Sequence, residues 1–121
     1  MKWILRDAGK RRPKDLPDHI ERRLRFALAR FGERVERVVV FLTDLNGPKG
    51  GVDKACRILV KVRGCSVAMA LAVDSQWKAA VDRATTRIGN KVSRELDRLR
   101  QHDSHHGRRL PLNVANHAAR A

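Results

Sequence analysis

The chain is 121 residues long, with 27 Lys and Arg against 13 Asp and Glu, a formal net charge of +14 and a pI near 11.3. That length holds one domain with one modest core, and no apolar run approaches the roughly 18 residues that span a bilayer. So large a cationic excess repels itself and calls for a polyanion, nucleic acid ahead of an anionic membrane surface.

Charge arrives too early in residues 1–7 for a secretory signal, so a cytoplasmic location is expected. Cys56 and Cys65 then read as reduced thiols, since two cysteines make neither a disulfide framework nor a metal set. Residues 3–5 read as a short first strand, and residues 7–15, polar and basic around Pro13, as a loop. Pro17 suits a helix start, with Asp15 or Asp18 near the positive end of the dipole. From Leu16 onward, Ile20, Leu24, Ala27, Leu28 and Phe31 fall within about 120° of a helical wheel, and Gly32 is expected to end the helix as a C′ glycine. Away from that arc stand His19, Arg23, Phe26 and Arg30. An exposed Phe26 among arginines would stack on a base or ribose; the plainer alternative is that it covers a neighbouring loop.

Residues 34–43 and 55–63 alternate as paired strands. Val38, Val40 and Leu42 share one face of the first, and Arg37, Val39 and Phe41 the other. In the second, Cys56, Ile58, Val60 and Val62 oppose Arg57, Leu59, Lys61 and Arg63, so one face packs and one is solvated. Between them, Asn46-Gly47 and Gly50-Gly51 tolerate positive φ, Pro48 stiffens the turn, and Lys49 and Lys54 point to a negative partner. Gly64 turns the chain into a third strand of the run, residues 65–73, in which Val67, Met69, Leu71 and Val73 alternate with alanines. Asp74-Ser75 offers an N-cap for a last helix over residues 75–101, whose apolar arc is Trp77, Val81, Ala84, Ile88, Val92, Leu96 and Leu99. Gly89 inside it costs about 1 kcal/mol relative to alanine. The periodicity stops at His102, and residues 102–121, with four of the five histidines, read as a disordered basic tail behind a domain of residues 1–101.

The element order is therefore βαβββα, an α+β domain with both helices side by side on one face of a four-stranded sheet. On the last helix, Arg83, Arg87, Lys91, Arg94 and Arg98 fall within about 80° of one another. Such a stripe repels itself at i,i+4 spacing by a few tenths of a kcal/mol per pair, and Asp82 and Asp97 lie off it. A polyphosphate relieves that repulsion and releases counterions. A solvated face is the plainer alternative, but a chain at +14 favours RNA or DNA contact. The basic flanks of both helices, with Lys49 and Lys54, are expected to form one continuous surface. His102, His105 and His106 have ligand-like spacing without a cysteine or carboxylate set to complete a metal site. No activated nucleophile, paired catalytic carboxylates or phosphate-cradling loop appears. Asp44, Asp53 and Asp74 read as turn and cap residues rather than Mg²⁺ ligands.

The segment Thr43-Asp44-Leu45-Asn46-Gly47-Pro48-Lys49-Gly50-Gly51-Val52-Asp53-Lys54-Ala55-Cys56-Arg57-Ile58, behind the apolar residues 38–42, resembles the ribosome hibernation promoting factor and ribosome-associated inhibitor family, also called the sigma-54 modulation protein family. The family pattern there is S/T-D-x-N-G-x-K-G-G-x-D-K-x-C-R-I. Trp77-Lys78-Ala79-Ala80-Val81-Asp82-Arg83-Ala84 likewise resembles its aromatic-x-A-I-D-R-A helix opening. The resemblance spans about residues 16–101. It implies a βαβββα fold like a double-stranded-RNA-binding domain, and binding to the small ribosomal subunit in the channel of mRNA and the A- and P-site tRNAs. By position it implies rRNA contacts from Lys49, Lys54, Arg57, Arg83, Arg87, Lys91, Arg94 and Arg98. Arg22, Arg23, Arg25 and Arg30 of the first helix are further expected rRNA contacts, which the motif itself does not fix.

The chain departs from the family in a faint first strand, for which an irregular sheet edge is expected, and in its histidine-bearing tail. The second, dimerising domain of the long members is missing, so ribosome pairing through one is not expected and the free protein is expected to be monomeric. The expectation is a non-enzymatic translation inhibitor needing no cofactor. Its rivals are a general RNA- or DNA-binding protein or chaperone, a Mg²⁺-dependent nuclease using Asp44 or Asp53, and a module that binds a transcription factor.

Overall fold

Period-two alternation in the strands and 3.6-residue periodicity in the helices converge on a single buried layer. A computed structural model describes residues 1–7, 12–45 and 52–107, with side chains as far as Gln101. The order is β1 (Lys2–Asp7), α1 (Leu16–Leu28), a 3-10 turn (Ala29–Arg34), β2 (Val35–Asp44), β3 (Lys54–Val62), β4 (Ala68–Asp74) and α2 (Trp77–Gly107). The four strands form one mixed sheet in the order β1-β2-β3-β4. β1 pairs parallel with β2, so the chain must cross over between them, and α1 supplies the crossover. The other neighbours are antiparallel, with one extra residue, Glu36, bulged on β2.

Both helices cover one face of the sheet. Leu16, Ile20, Leu24 and Leu28 of α1 join Trp77, Val81, Ala84, Ile88 and Val92 of α2 in one cluster with Val38, Val40, Leu42, Cys56, Ile58, Val60 and Val62. Each such aliphatic side chain contributes about 1.5–3 kcal/mol by leaving water. The α+β architecture and the inward faces of β2 and β3 match the sequence expectation. β4 adds something that its alternation left open. Its alanines, Ala68, Ala70 and Ala72, face the helices, while Val67 just before the strand and Met69 and Leu71 within it are exposed on the opposite side. Small residues there let α2 lie close on the sheet.

Several boundaries differ from the sequence reading. β1 runs to six residues in unbroken register with β2, from Lys2↔Arg37 to Asp7↔Leu42, so that edge is regular and not irregular. Trp3 Nε1 also donates to Glu21 Oε1 at 3.1 Å, fastening β1 to α1. α1 stops at Leu28 and passes into the 3-10 turn, where Gly32 takes the expected positive φ, 57°, two residues beyond the C′ position. α2 begins at Trp77 behind an Asp74 carboxylate that accepts the N–H groups of Ser75 (2.7 Å) and Gln76 (3.3 Å), and it continues to Gly107. Of the expected tail, residues 102–107 extend this helix, and residues 108–121 lie outside the described residues. So do Asn46, Gly47, Pro48, Lys49, Gly50 and Gly51 of the hairpin loop. Among the described residues no helix is long and apolar enough to cross a membrane.

Gly89 has a packing reason. A Cβ placed there would sit 3.2 Å from the Ala27 carbonyl oxygen and 3.4 Å from its Cβ, so α1 and α2 cross in close contact at this point.

Candidate nucleic-acid interface

The arginine stripe of α2 divides along its length. At the N-terminal end, Arg83 donates to the Val73 carbonyl (2.8 Å) and to Asp74 Oδ2 (3.3 Å), and Arg87 donates to the Leu71 carbonyl. Both therefore lean over β4, an outer strand of the sheet. Asp74, which accepts from the Gln76 and Ser75 N–H groups and from Arg83, is held below the ordinary carboxyl value of 3.8, the Gln76 N–H foremost. Farther on, Lys91 and Arg94 are exposed and make no ion pair among the described residues. Arg98, also exposed, lies 3.5 Å from Glu95.

α1 contributes on the other flank of α2. His19 Nε2 lies 2.7 Å from Asp82 Oδ1. Arg23 Nε lies 3.2 Å from the same oxygen, an ion pair without an aligned hydrogen bond. Arg30 Nη2 donates to the Gly89 carbonyl (3.4 Å), its guanidinium 4.8 Å from the Phe31 ring centroid. Arg25 pairs with Glu21 at 3.4 Å, and Arg22 is exposed without an ion pair among the described residues. Arg83 and Arg87 thus face the β4 side of α2, while Asp82 and Gly89 face α1. Exposed, uncharged Thr86 and Asn90 lie between. Among the described residues the cations expected to share one surface therefore stand on two flanks of α2, and Lys49, expected to help join them, lies outside the described residues.

Two further expected contacts sit elsewhere. Lys54 is drawn inward, its side chain only 17% exposed, with Nζ 3.0 Å from Asp44 Oδ2, 3.2 Å from Asp53 Oδ2 and 5.7 Å from the Trp77 ring centroid. The hydrogen bond it donates to Asp44 is the largest of the effects that raise its pKa above 10.5. Lys54 therefore ties the ends of β2 and β3 to the start of α2; Asp74 serves as the cap the sequence suggested, while the Asp44 and Asp53 carboxylates hold Lys54. Arg57 projects from the sheet face that the helices leave open, 4.5 Å over the Phe41 ring. Lys49 lies outside the described residues.

That open face carries cations the sequence reading did not assemble. Lys2, Arg37 and Lys61 stand in one row across β1, β2 and β3, and Arg6 stands beside Phe41 and Arg57. The strand alternation that put Arg57 opposite Cys56 was the available signal. Between these cations runs an apolar row, Ile4, Val39, Leu59 and Met69. Among the described residues, no three His, Cys, Asp or Glu side chains gather where a metal ion would sit.

The chain matches no family model and no curated protein sequence. Its structure is similar to that of a ribosomal subunit interface protein from Coxiella burnetii, with a TM-score of 0.61 and 17% identity over 78% of this chain and 96% of the other. It is similar, too, to the Protein Y N-terminal domain from Thermus thermophilus, with a TM-score of 0.61 and 24% identity over 77% of this chain and 93% of the other. Both neighbours are of the hibernation promoting factor family, the one that the hairpin pattern resembles. The chain shares their fold: two helices on a four-stranded mixed sheet.

Proposed function

We propose that this protein is a ribosome-associated translation inhibitor. In this reading it binds small-subunit rRNA in the mRNA–tRNA channel, occludes the A and P sites by its bulk, and catalyses no reaction. It acts in the cytoplasm and is monomeric before it engages the subunit. The observation that carries this reading is the exposed cation pair Lys91 and Arg94, without an ion pair among the described residues, on a helix of a fold shared with a ribosomal subunit interface protein. Phosphate contacts by such residues gain free energy through counterion release and read the shape of RNA rather than its base edges. Arg98 extends the grip, and Arg83 and Arg87 supply positive potential from the β4 flank. Lys54 serves by shaping the hairpin that bears Lys49, and Arg57 offers a contact from the sheet side.

Sucrose-gradient sedimentation at low salt tests the proposal. The wild-type protein is expected in the small-subunit fractions. Lys91→Glu with Arg94→Glu is expected to move it to the top of the gradient, with at least about a tenfold loss of affinity and a salt slope reduced by about 2. A wild-type protein found at the top of the gradient would sink the reading. Equal competition by any RNA or DNA duplex would turn it into the general nucleic-acid binder.

A further inference from the structure

Phe26 is the most exposed large apolar side chain among the described residues, 82% exposed on the outer side of α1. Among the described residues it covers no loop and no apolar patch continues around it: Arg22 and Arg23 are its helical neighbours at i−4 and i−3. The other exposed apolar residues lie on the open sheet face, as do Ile4, Met69 and Leu71, or beside the hairpin loop, as do Leu45 and Val52. Arg23 is drawn toward the helix pair by an ion pair, Asp82 Oδ1 of α2 lying 3.2 Å from its Nε while also meeting His19. The Arg23 guanidinium carbon stands 5.7 Å from the Phe26 ring centroid. An aromatic ring beside a guanidinium, with the exposed Arg22 next to it, matches the two parts of a nucleotide: a π-face for the base and cations for the phosphate.

We infer that Phe26 is a stacking platform for an unpaired nucleobase of the bound RNA, with Arg23 and Arg22 beside it for the flanking phosphates. The inference rests on the reading that the protein binds RNA. It adds to that reading a preference which the α2 cations cannot give, since phosphates are present in duplex and single strand alike. A base inside a duplex is already stacked on both faces, so the ring selects a loop, bulge or single-stranded end. An apolar protein partner would want a contiguous apolar patch around the ring, and arginines surround it instead.

The test is fluorescence anisotropy with a labelled oligoadenylate of about 12 nucleotides and a blunt-ended, loop-free RNA duplex of equal charge. Phe26→Leu is expected to weaken oligoadenylate binding about tenfold and leave the duplex unchanged. Phe26→Trp is expected to keep the affinity and to show RNA-dependent quenching beyond that of Trp3 and Trp77. Unchanged oligoadenylate affinity in Phe26→Leu, or equal losses on both RNAs, overturns the inference. So does a loss seen only on ribosomes, which would mark a contact with protein. A wild-type chain that fails to sediment with subunits but shows the Phe26-dependent preference would defeat the ribosomal reading and leave this one standing.

Discussion

Cys56 lies on β3 with no exposed surface, and burial pushes its thiol up to about 12. The thiolate is the reacting species, so at neutral pH almost none of this side chain is reactive. Cys65 differs: it is half-buried after the β3 turn, with Sγ 3.9 Å from the Glu95 carbonyl oxygen. Iodoacetamide at mildly alkaline pH is therefore expected to label Cys65 alone in the native protein, and both cysteines in denaturant. Intact-mass spectrometry counts the adducts, and a doubly labelled native protein would contradict the burial. Lys54 shows the same dependence on surroundings for a charge. Beside a lysine-bearing loop it reads as a surface cation, yet Asp44 and Asp53 draw it over Trp77. A sequence names the charge of a residue but not the carboxylates that fold back onto it.

At the scale of elements, the close crossing of α1 and α2 rests on Gly89 against Ala27. Gly89→Val places a branched side chain where a single Cβ already meets backbone at 3.2 Å. Overpacking there is expected to cost about 2 kcal/mol, more than the small helix-propensity gain over glycine. Urea denaturation measures it, and a midpoint equal to wild type would mean the helices separate freely. Inside elements, the sequence was a good guide: Val38, Val40 and Leu42 and the opposing Cys56, Ile58, Val60 and Val62 lie on the face their alternation assigns. Relations between elements were not legible in the same way. Wheel angles group Arg83, Arg87, Lys91, Arg94 and Arg98, but whether α1 or β4 lies beside that group is decided by non-local packing. Arg57 makes the point from the other side. Strand alternation separates it from the helices, while the family pattern alone groups it with them.

For the molecule as a whole, 27 cations against 13 carboxylates leave repulsion that the ion pairs do not cancel. Exposed pairs such as Lys78–Asp15 and Arg100–Asp97 contribute little, because solvent screens them. The net +14 acts through the entire compact state. Raising KCl from about 0.01 to about 0.15 M shortens the screening length from about 30 to about 8 Å. The melting temperature is therefore expected to rise over that range, although the individual ion pairs weaken. A fall, read by calorimetry, would show that specific pairs outweigh the net field. The arginines over β4 matter on this scale as well. An outer strand with unengaged carbonyls is a template onto which a strand of another molecule can add. Arg83 and Arg87 occupy the Val73 and Leu71 carbonyls with their own side chains, so an approaching strand meets two guanidinium charges in place of acceptors. The same arginines that lend the helix its positive field thus leave the β4 edge with two fewer acceptors for a strand of another molecule.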